Sequence, residues 1–197
     1  MSDQSFLLLH GWQNRRPPEH WQHWLAGELT ALGHAVDYPQ LPDPDFPQLD
    51  DWLAELRTRV AAMPGTRRTV LCHSLGCLLW LNAAARSEVP LQVDRVLLVA
   101  PPSPSVTLSH PEIAGFAHPP VSPARLRAAS RYTRLVGTDN DPYFPEDIRT
   151  VYAGLDIPID VLPGAAHLNM DSGYGPWPSI LAWSQGPDDT PLERRPA

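Results

Sequence analysis

Apolar positions along the chain fall into two alternating patterns. Residues 6–10, Phe-Leu-Leu-Leu-His, form a short apolar run that meets Gly11, as a buried strand does on entering a turn. Trp21, Trp24, Leu25, Leu29 and Leu32 then recur at helical spacing, and Gly33 follows as a stop. Residues 35–38 read as a short strand. Leu49, Trp52, Leu53, Leu56, Val60 and Met63 form the clearest helical stripe, closed by Pro64-Gly65. Residues 69–72 predict a strand, and residues 75–86, apolar on nearly every side, predict a buried helix.

The second half repeats the alternation. Strands are expected at 95–99, 131–136 and 159–162. Ile148, Val151, Tyr152 and Leu155 mark a helix face, and Ile180 to Trp183 belong to a final helix. Alternating strands and helices imply an α/β fold of three layers, a mostly parallel sheet with helices on both faces. A single domain is expected over residues 1–185. Residues 186–197, rich in Pro, Asp, Glu and Arg with one Leu, read as a flexible C-terminal tail.

Composition changes this picture at a few points. The chain of 197 residues is long enough to bury a real core, and 24 prolines demand irregular connections between the regular elements. Seven of those prolines lie in residues 101–124, which read as a short, stiff cap with Phe116 at its rim. A net charge of −7, with all fifteen basic residues Arg, argues against nucleic acid or an anionic membrane as partner. No apolar run approaches the roughly 20 residues that span a bilayer, and residues 1–9 lack the marks of a signal peptide. Two cysteines, Cys72 and Cys77, suit a reduced, cytoplasmic setting better than a disulfide framework.

Candidate chemistry centres on residues 70–77, Val-Leu-Cys-His-Ser-Leu-Gly-Cys. A strand ends near Cys72 and a helix begins near Leu75, so Ser74 sits on a strand-to-helix turn with its hydroxyl raised above the sheet. The pattern is Gly-x-Ser-x-Gly with Cys72 in place of the first glycine. A serine needs an adjacent base. His167 follows the last expected strand, among small residues that let it reach over the serine. The acid belongs between them, after the strand at 131–136: Asp141 is preferred, with Asp139 the alternative. The order Ser, Asp, His is that of the α/β-hydrolase topology. Two backbone N–H groups, of Leu75 and Trp12, are candidates for an oxyanion hole.

These motifs, with Pro18-Glu19-His20-Trp21-Gln22, Asn140-Asp141-Pro142-Tyr143 and the Trp177-Pro178 region, resemble the small serine-hydrolase family of YdeN-like and retinoblastoma-binding protein 9-like proteins. The resemblance covers most of residues 5–184. It implies an α/β-hydrolase fold with a minimal cap, Ser74, Asp141 and His167 as a catalytic triad, and hydrolysis of an ester, thioester or amide bond without a cofactor or metal.

Trp12, Tyr143, Phe144 and Trp177 lie near the catalytic segments and are expected to line the substrate pocket. Short acyl groups are expected, since no lid domain shelters a long chain. His73 is expected to hold a neighbouring loop, and His10 to pin the loop carrying Trp12. His20 and His23, three apart, could share a metal, but no third ligand stands nearby. Two other functional readings stand beside this one: a non-catalytic protein-binding module on a hydrolase scaffold, and an acyltransferase or lyase that uses the same triad.

Overall fold

A computed structural model describes residues 3–117 and 119–194. Six strands, β1 (Gln4–Leu9), β2 (Ala35–Asp37), β3 (Arg67–His73), β4 (Val93–Val99), β5 (Ser130–Thr138) and β6 (Ile159–Leu162), form one sheet in the order β2-β1-β3-β4-β5-β6. Every pairing is parallel, with Leu9 beside Cys72, Cys72 beside Leu98, and Leu98 beside Leu135. A strand alternates its side chains between faces, so a strand covered on both sides must be apolar throughout. Leu7, Leu9, Val70, Cys72, Val96, Leu98 and Leu135 accordingly point to one buried cluster. Phe6, Leu8, Leu71, Leu97, Val99 and Val136 point to the other.

Helices cover the two faces unequally. On the first lie α2 (Leu49–Ala62), α3 (Leu75–Arg86), α5 (Pro123–Ala129) and α6 (Ile148–Tyr152). On the second lie α1 (Trp21–Ala31) and α7 (Pro178–Gln185). The stripe on α2 buries Trp52, Leu53, Leu56 and Val60, and Asp50 and Asp51 in its first turn suit the positive end of the helix dipole. Helix α3 is buried over ten consecutive residues, as its all-round apolarity requires. Chain connections leave β1 toward one edge of the sheet and leave β3 toward the other. The crevice between the carboxyl ends of β1 and β3 is therefore a topological switch point, where open α/β sheets place their ligands.

The chain from 101 to 124 is more regular than its proline count suggests. It holds α4 (Pro104–Ser109), a turn of 3₁₀ helix at Ala114–Phe116, and the start of α5. Pro104, Pro123 and Pro178 each open a helix, where the missing N–H costs nothing and the fixed φ helps. Ser103 and Ser122 cap the first two through their hydroxyls, accepting from the N–H of Val106 and Arg125. Phe116 is not at a rim: its ring packs edge-on against Trp52, 5.2 Å between centroids, and is fully buried. A phenyl ring buries too much apolar area to stay at the surface when α2 offers a partner.

The C-terminal segment also departs from expectation. Residues 186–194 lie against the core, and 195–197 lie outside the described residues. Leu192 is buried with the α1–α7 cluster, and Trp177 donates its indole N–H to the Glu193 carbonyl at 2.8 Å. The Arg95 guanidinium stacks on Trp183 at 3.9 Å and meets Asp188 at 2.8 Å. Arg134 donates to the Thr190 carbonyl at 2.7 Å. Two arginines buried on the sheet thus find their acceptors in this segment, which its polar composition concealed. Among the described residues no helix is long and apolar enough to cross a membrane, and both cysteines are free and buried.

Deleting residues 187–197 should leave Arg95 without its carboxylate and expose the Trp177 and Trp183 indoles. Equilibrium urea unfolding should show a loss of about 2 kcal/mol or more. An unchanged midpoint would mean that the segment contributes nothing to stability.

Candidate active site

Ser74 occupies the turn between β3 and α3 at φ 52° and ψ −121°, a conformation that a non-glycine residue adopts only under constraint. The constraint is visible. Ser74 N–H donates to the Val99 carbonyl at 2.9 Å, and its own carbonyl accepts from Cys77 N–H at 2.9 Å. Helix α3 then crosses the end of β1 so closely that a Cβ on Gly76 would stand 2.7 Å from the Leu9 carbonyl oxygen and 2.8 Å from that of His10. Glycine is required there because both obstacles are backbone. Cys72, in the position two before Ser74, is fully buried in the α2–α3 cluster, so its small side chain fits the turn.

His167 reaches Ser74 from the loop after β6. Its Nε2 lies 3.0 Å from Ser74 Oγ, and its Nδ1 lies 2.8 and 3.0 Å from the two oxygens of Asp141. A carboxylate only accepts, so Nδ1 carries the proton and Nε2 presents its lone pair to the serine hydroxyl. Asp141 is itself held, its Oδ1 accepting from Tyr143 N–H at 2.8 Å. Both partners are buried, with side-chain exposures of 8% for His167 and 2% for Asp141, so water does little to weaken the pair.

Asp139 stands elsewhere. Its Oδ1 accepts from Gly164 N–H at 2.7 Å, and the neighbouring Asn140 accepts from Ala166 N–H at 2.8 Å. Thr138 donates to the Ala166 carbonyl at 2.7 Å, and His73 Nε2 donates to the His167 carbonyl at 3.1 Å. Ala166 and Leu168, on either side of His167, both have positive φ, 49° and 51°. A backbone bent in this way needs such ties. The end of β5 and the loop after it therefore supply three consecutive side chains, Thr138, Asp139 and Asn140, to the His loop and a fourth, Asp141, to the imidazole.

A second layer of histidines lies behind. His10 donates from Nδ1 to the Gly11 carbonyl at 2.8 Å and accepts at Nε2 from Leu41 N–H at 2.9 Å, so the loop carrying Trp12 is pinned. His20 caps α1, its Nδ1 accepting from Gln22 N–H at 3.2 Å. Its ring lies 4.9 Å from His73, whose ring lies 5.1 Å from His167. His23 is exposed, whereas His20 is buried. Among the described residues no cluster of three or more potential ligands could hold a metal ion. Burial, with His167 and His10 as further contributors, pushes the His20 pKa down to about 4. Burial likewise brings His10 to about 4 and holds His73 well below the usual value.

A cavity of about 430 Å³ opens over Ser74 and His167. Trp12 and Tyr143 line it, and the Tyr143 ring stands 4.5 Å from that of His167. Phe144 and Trp177 do not. Phe144 packs in the core against Tyr152, 5.9 Å between ring centres, and Trp177 is fully buried between Trp21 and Tyr174. Chain proximity to a catalytic segment put both near the site, but each lies on the inward side of its loop. The wall that sequence missed comes from Val106 on α4 and from His110 and Ile113 after it, because this short stretch carries no apolar stripe long enough to announce which face looks inward.

A family model described as serine hydrolase matches residues 6–184. The YdeN protein of Bacillus subtilis (strain 168) is 30% identical over 93 residues, 47% of this chain and 48% of that protein, so the chain spans about half the length of the curated relative it matches. The crystal structure of the ydeN product of B. subtilis superposes with a TM-score of 0.76 at 20% identity, covering 92% of this chain and 96% of that one. Est1E of Butyrivibrio proteoclasticus with ferulic acid superposes with a TM-score of 0.62 at 14% identity, covering 84% and 82%.

The buried histidines carry a consequence for stability. Folded, His10 and His20 stay neutral between about pH 6.5 and 4, where their unfolded counterparts take a proton. Their contribution is complete above pH 6.5 and is lost as pH falls toward 4, at up to about 1.4 kcal/mol per pH unit for each ring. Chemical denaturation should show stability falling from pH 7 to pH 5. A flat profile over that range would contradict the neutral, buried assignment.

Proposed function

The chain belongs to the serine hydrolase family, and from that premise we propose that it hydrolyses small esters through Ser74, His167 and Asp141 by way of an acyl-enzyme. The observation that carries this reading is the continuous chain of contacts from Ser74 Oγ through His167 to Asp141, all within 3.0 Å. Ser74 Oγ attacks the substrate carbonyl as its proton passes to His167 Nε2. The imidazolium so formed is stabilised by Asp141 and gives the proton to the departing alkoxide. Water then repeats the sequence on the acyl-enzyme, and Ser74 recovers its proton.

The charge that develops on the carbonyl oxygen needs donors. Leu75 N–H is the first amide of α3 and has no acceptor within its own helix. Trp12 N–H comes from the loop after β1. A Cβ on Gly11 would stand 2.8 Å from Ser74 Cβ, so only glycine lets that loop come against the nucleophile and bring Trp12 to the same side. Both groups are assigned to the oxyanion hole, worth on the order of 3 kcal/mol per donor in other acyl-transfer enzymes. With no separate lid domain among the described residues to shelter a long chain, short acyl groups are favoured, which makes p-nitrophenyl butyrate a suitable first substrate.

Steady-state kinetics on that ester separate the two candidate acids. Asp141→Ala should lower kcat by about 10⁴-fold, as should Ser74→Ala. Asp139→Ala removes one tie on the His loop and should cost only about 10-fold. A dead Asp139→Ala beside an active Asp141→Ala would reverse the assignment.

A further inference from the structure

We infer that the indole of Trp12 is the wall that sets how long a chain the cavity accepts, which makes Trp12 the specificity-determining residue for short esters. This rests on the hydrolase reading above and adds to it the side chain that limits substrate length.

Trp12 is held at three points. Its Nε1–H donates to the Asp45 carbonyl at 2.9 Å. The next residue, Gln13, donates its N–H to the Pro44 carbonyl at 2.8 Å. The indole also stands against the ring of His110, 5.1 Å between centroids with the planes at 56°.

Neither support is loose. Trp52 on α2 donates its indole N–H to the Pro42 carbonyl at 2.7 Å, and Arg15 pairs with the Asp45 carboxylate, so residues 42–45 are tied at both ends. On the other side, the His110 carbonyl accepts from Ile113 N–H at 3.0 Å, and the Ile113 carbonyl accepts from Phe116 N–H at 2.9 Å. Phe116 packs on Trp52, and its carbonyl accepts from Asn82 at 3.2 Å. Both supports lead back to Trp52, which is fully buried. The Trp12 ring is therefore a fixed wall.

Its place relative to the reaction follows from its own backbone. The amide of Trp12 is the one assigned to the carbonyl oxygen of the substrate, so the indole springs from the residue that holds the reacting group. The reach from carbonyl to wall is one side chain, which a short run of carbons spans. The only polar atom of an indole is its N–H, and here that is given to Asp45, so the ring offers carbon alone to the cavity. Such a wall selects by size. A chain that outgrows it must displace a ring held by a hydrogen bond and by His110, and overfilling a fixed site is costly. Tyr143 and Met170 cannot set the same limit. They keep 41% and 40% of their surface exposed and stand at the open side of the cavity.

The test varies chain length at each end of the ester in turn. One pair is p-nitrophenyl butyrate and octanoate; the other is ethyl and octyl butyrate. In the series whose chain meets Trp12, wild-type kcat/KM should be about 10-fold or more lower for the long ester. Trp12→Ala should raise the long-to-short ratio in that series about 10-fold. A ratio is unaffected by any protein lost to misfolding. His110→Ala removes one support and leaves the Trp12 amide in place, so it should move the ratio the same way by a smaller factor. Wild-type rates that do not fall with length in either series, or ratios that both variants leave unchanged, would overturn the assignment while the hydrolase reading stands. A wild type inactive on all these esters would overturn the hydrolase reading, and this assignment with it.

Discussion

The whole site depends on how closely two stretches of backbone approach one another. Helix α3 begins where β3 ends, and its first turn lies directly on the carbonyl groups of Leu9 and His10 at the end of β1. Gly76 permits that contact from one side and Gly11 from the other. With both strands parallel and adjacent, their carboxyl ends are level, so Ser74 and the loop carrying Trp12 must face each other. The positive φ at Ser74 is sustained by hydrogen bonds to Val99 and Cys77 and by the burial of α3 beneath it. Strain of this kind costs about 1–3 kcal/mol and persists only where packing over-determines it.

From that contact outward, the remaining parts serve to hold His167. The imidazole sits on a loop bent by a left-handed residue on either side of it and tied at four points to β5, its following loop and the elbow. Hydrogen bonds to His73 and Asp141 fix the loop and the ring separately, one through a carbonyl and the other through Nδ1. In the proposed mechanism the division matters because His167, acting as base, must keep its lone pair aimed at a hydroxyl only 3.0 Å away. Displacement of an ångström is enough to forfeit much of a triad's rate.

Sequence revealed the parts that repeat and concealed those that are made by a single encounter. Strands buried on both faces must be apolar throughout, so β1, β3, β4 and most of β5 were plain as runs, the shorter β2 and β6 were also expected, and the long stripe on α2 was plain as a period. Ser74, Asp141 and His167 were legible because each stands at the end of a strand in a fixed order. The short α4 left no periodic trace, being only six residues, and its prolines pointed to irregular chain although one of them starts the helix. Composition also misrepresented residues 186–194. Asp188 and the Thr190 carbonyl serve Arg95 and Arg134, two arginines buried on the sheet. Phe144 and Trp177 show the same limit from another side. Nearness along the chain places a residue beside a site but says nothing of which way its loop turns.

The most direct test is covalent. An activated fluorophosphonate should react with one equivalent of protein, and peptide mass spectrometry should find the phosphonyl group on Ser74. Replacing His167 with Ala should slow that reaction by about 10³-fold or more, since the hydroxyl then lacks its base. Labelling at another residue, or an undiminished rate in the His167 variant, would contradict a serine made nucleophilic by the geometry described here.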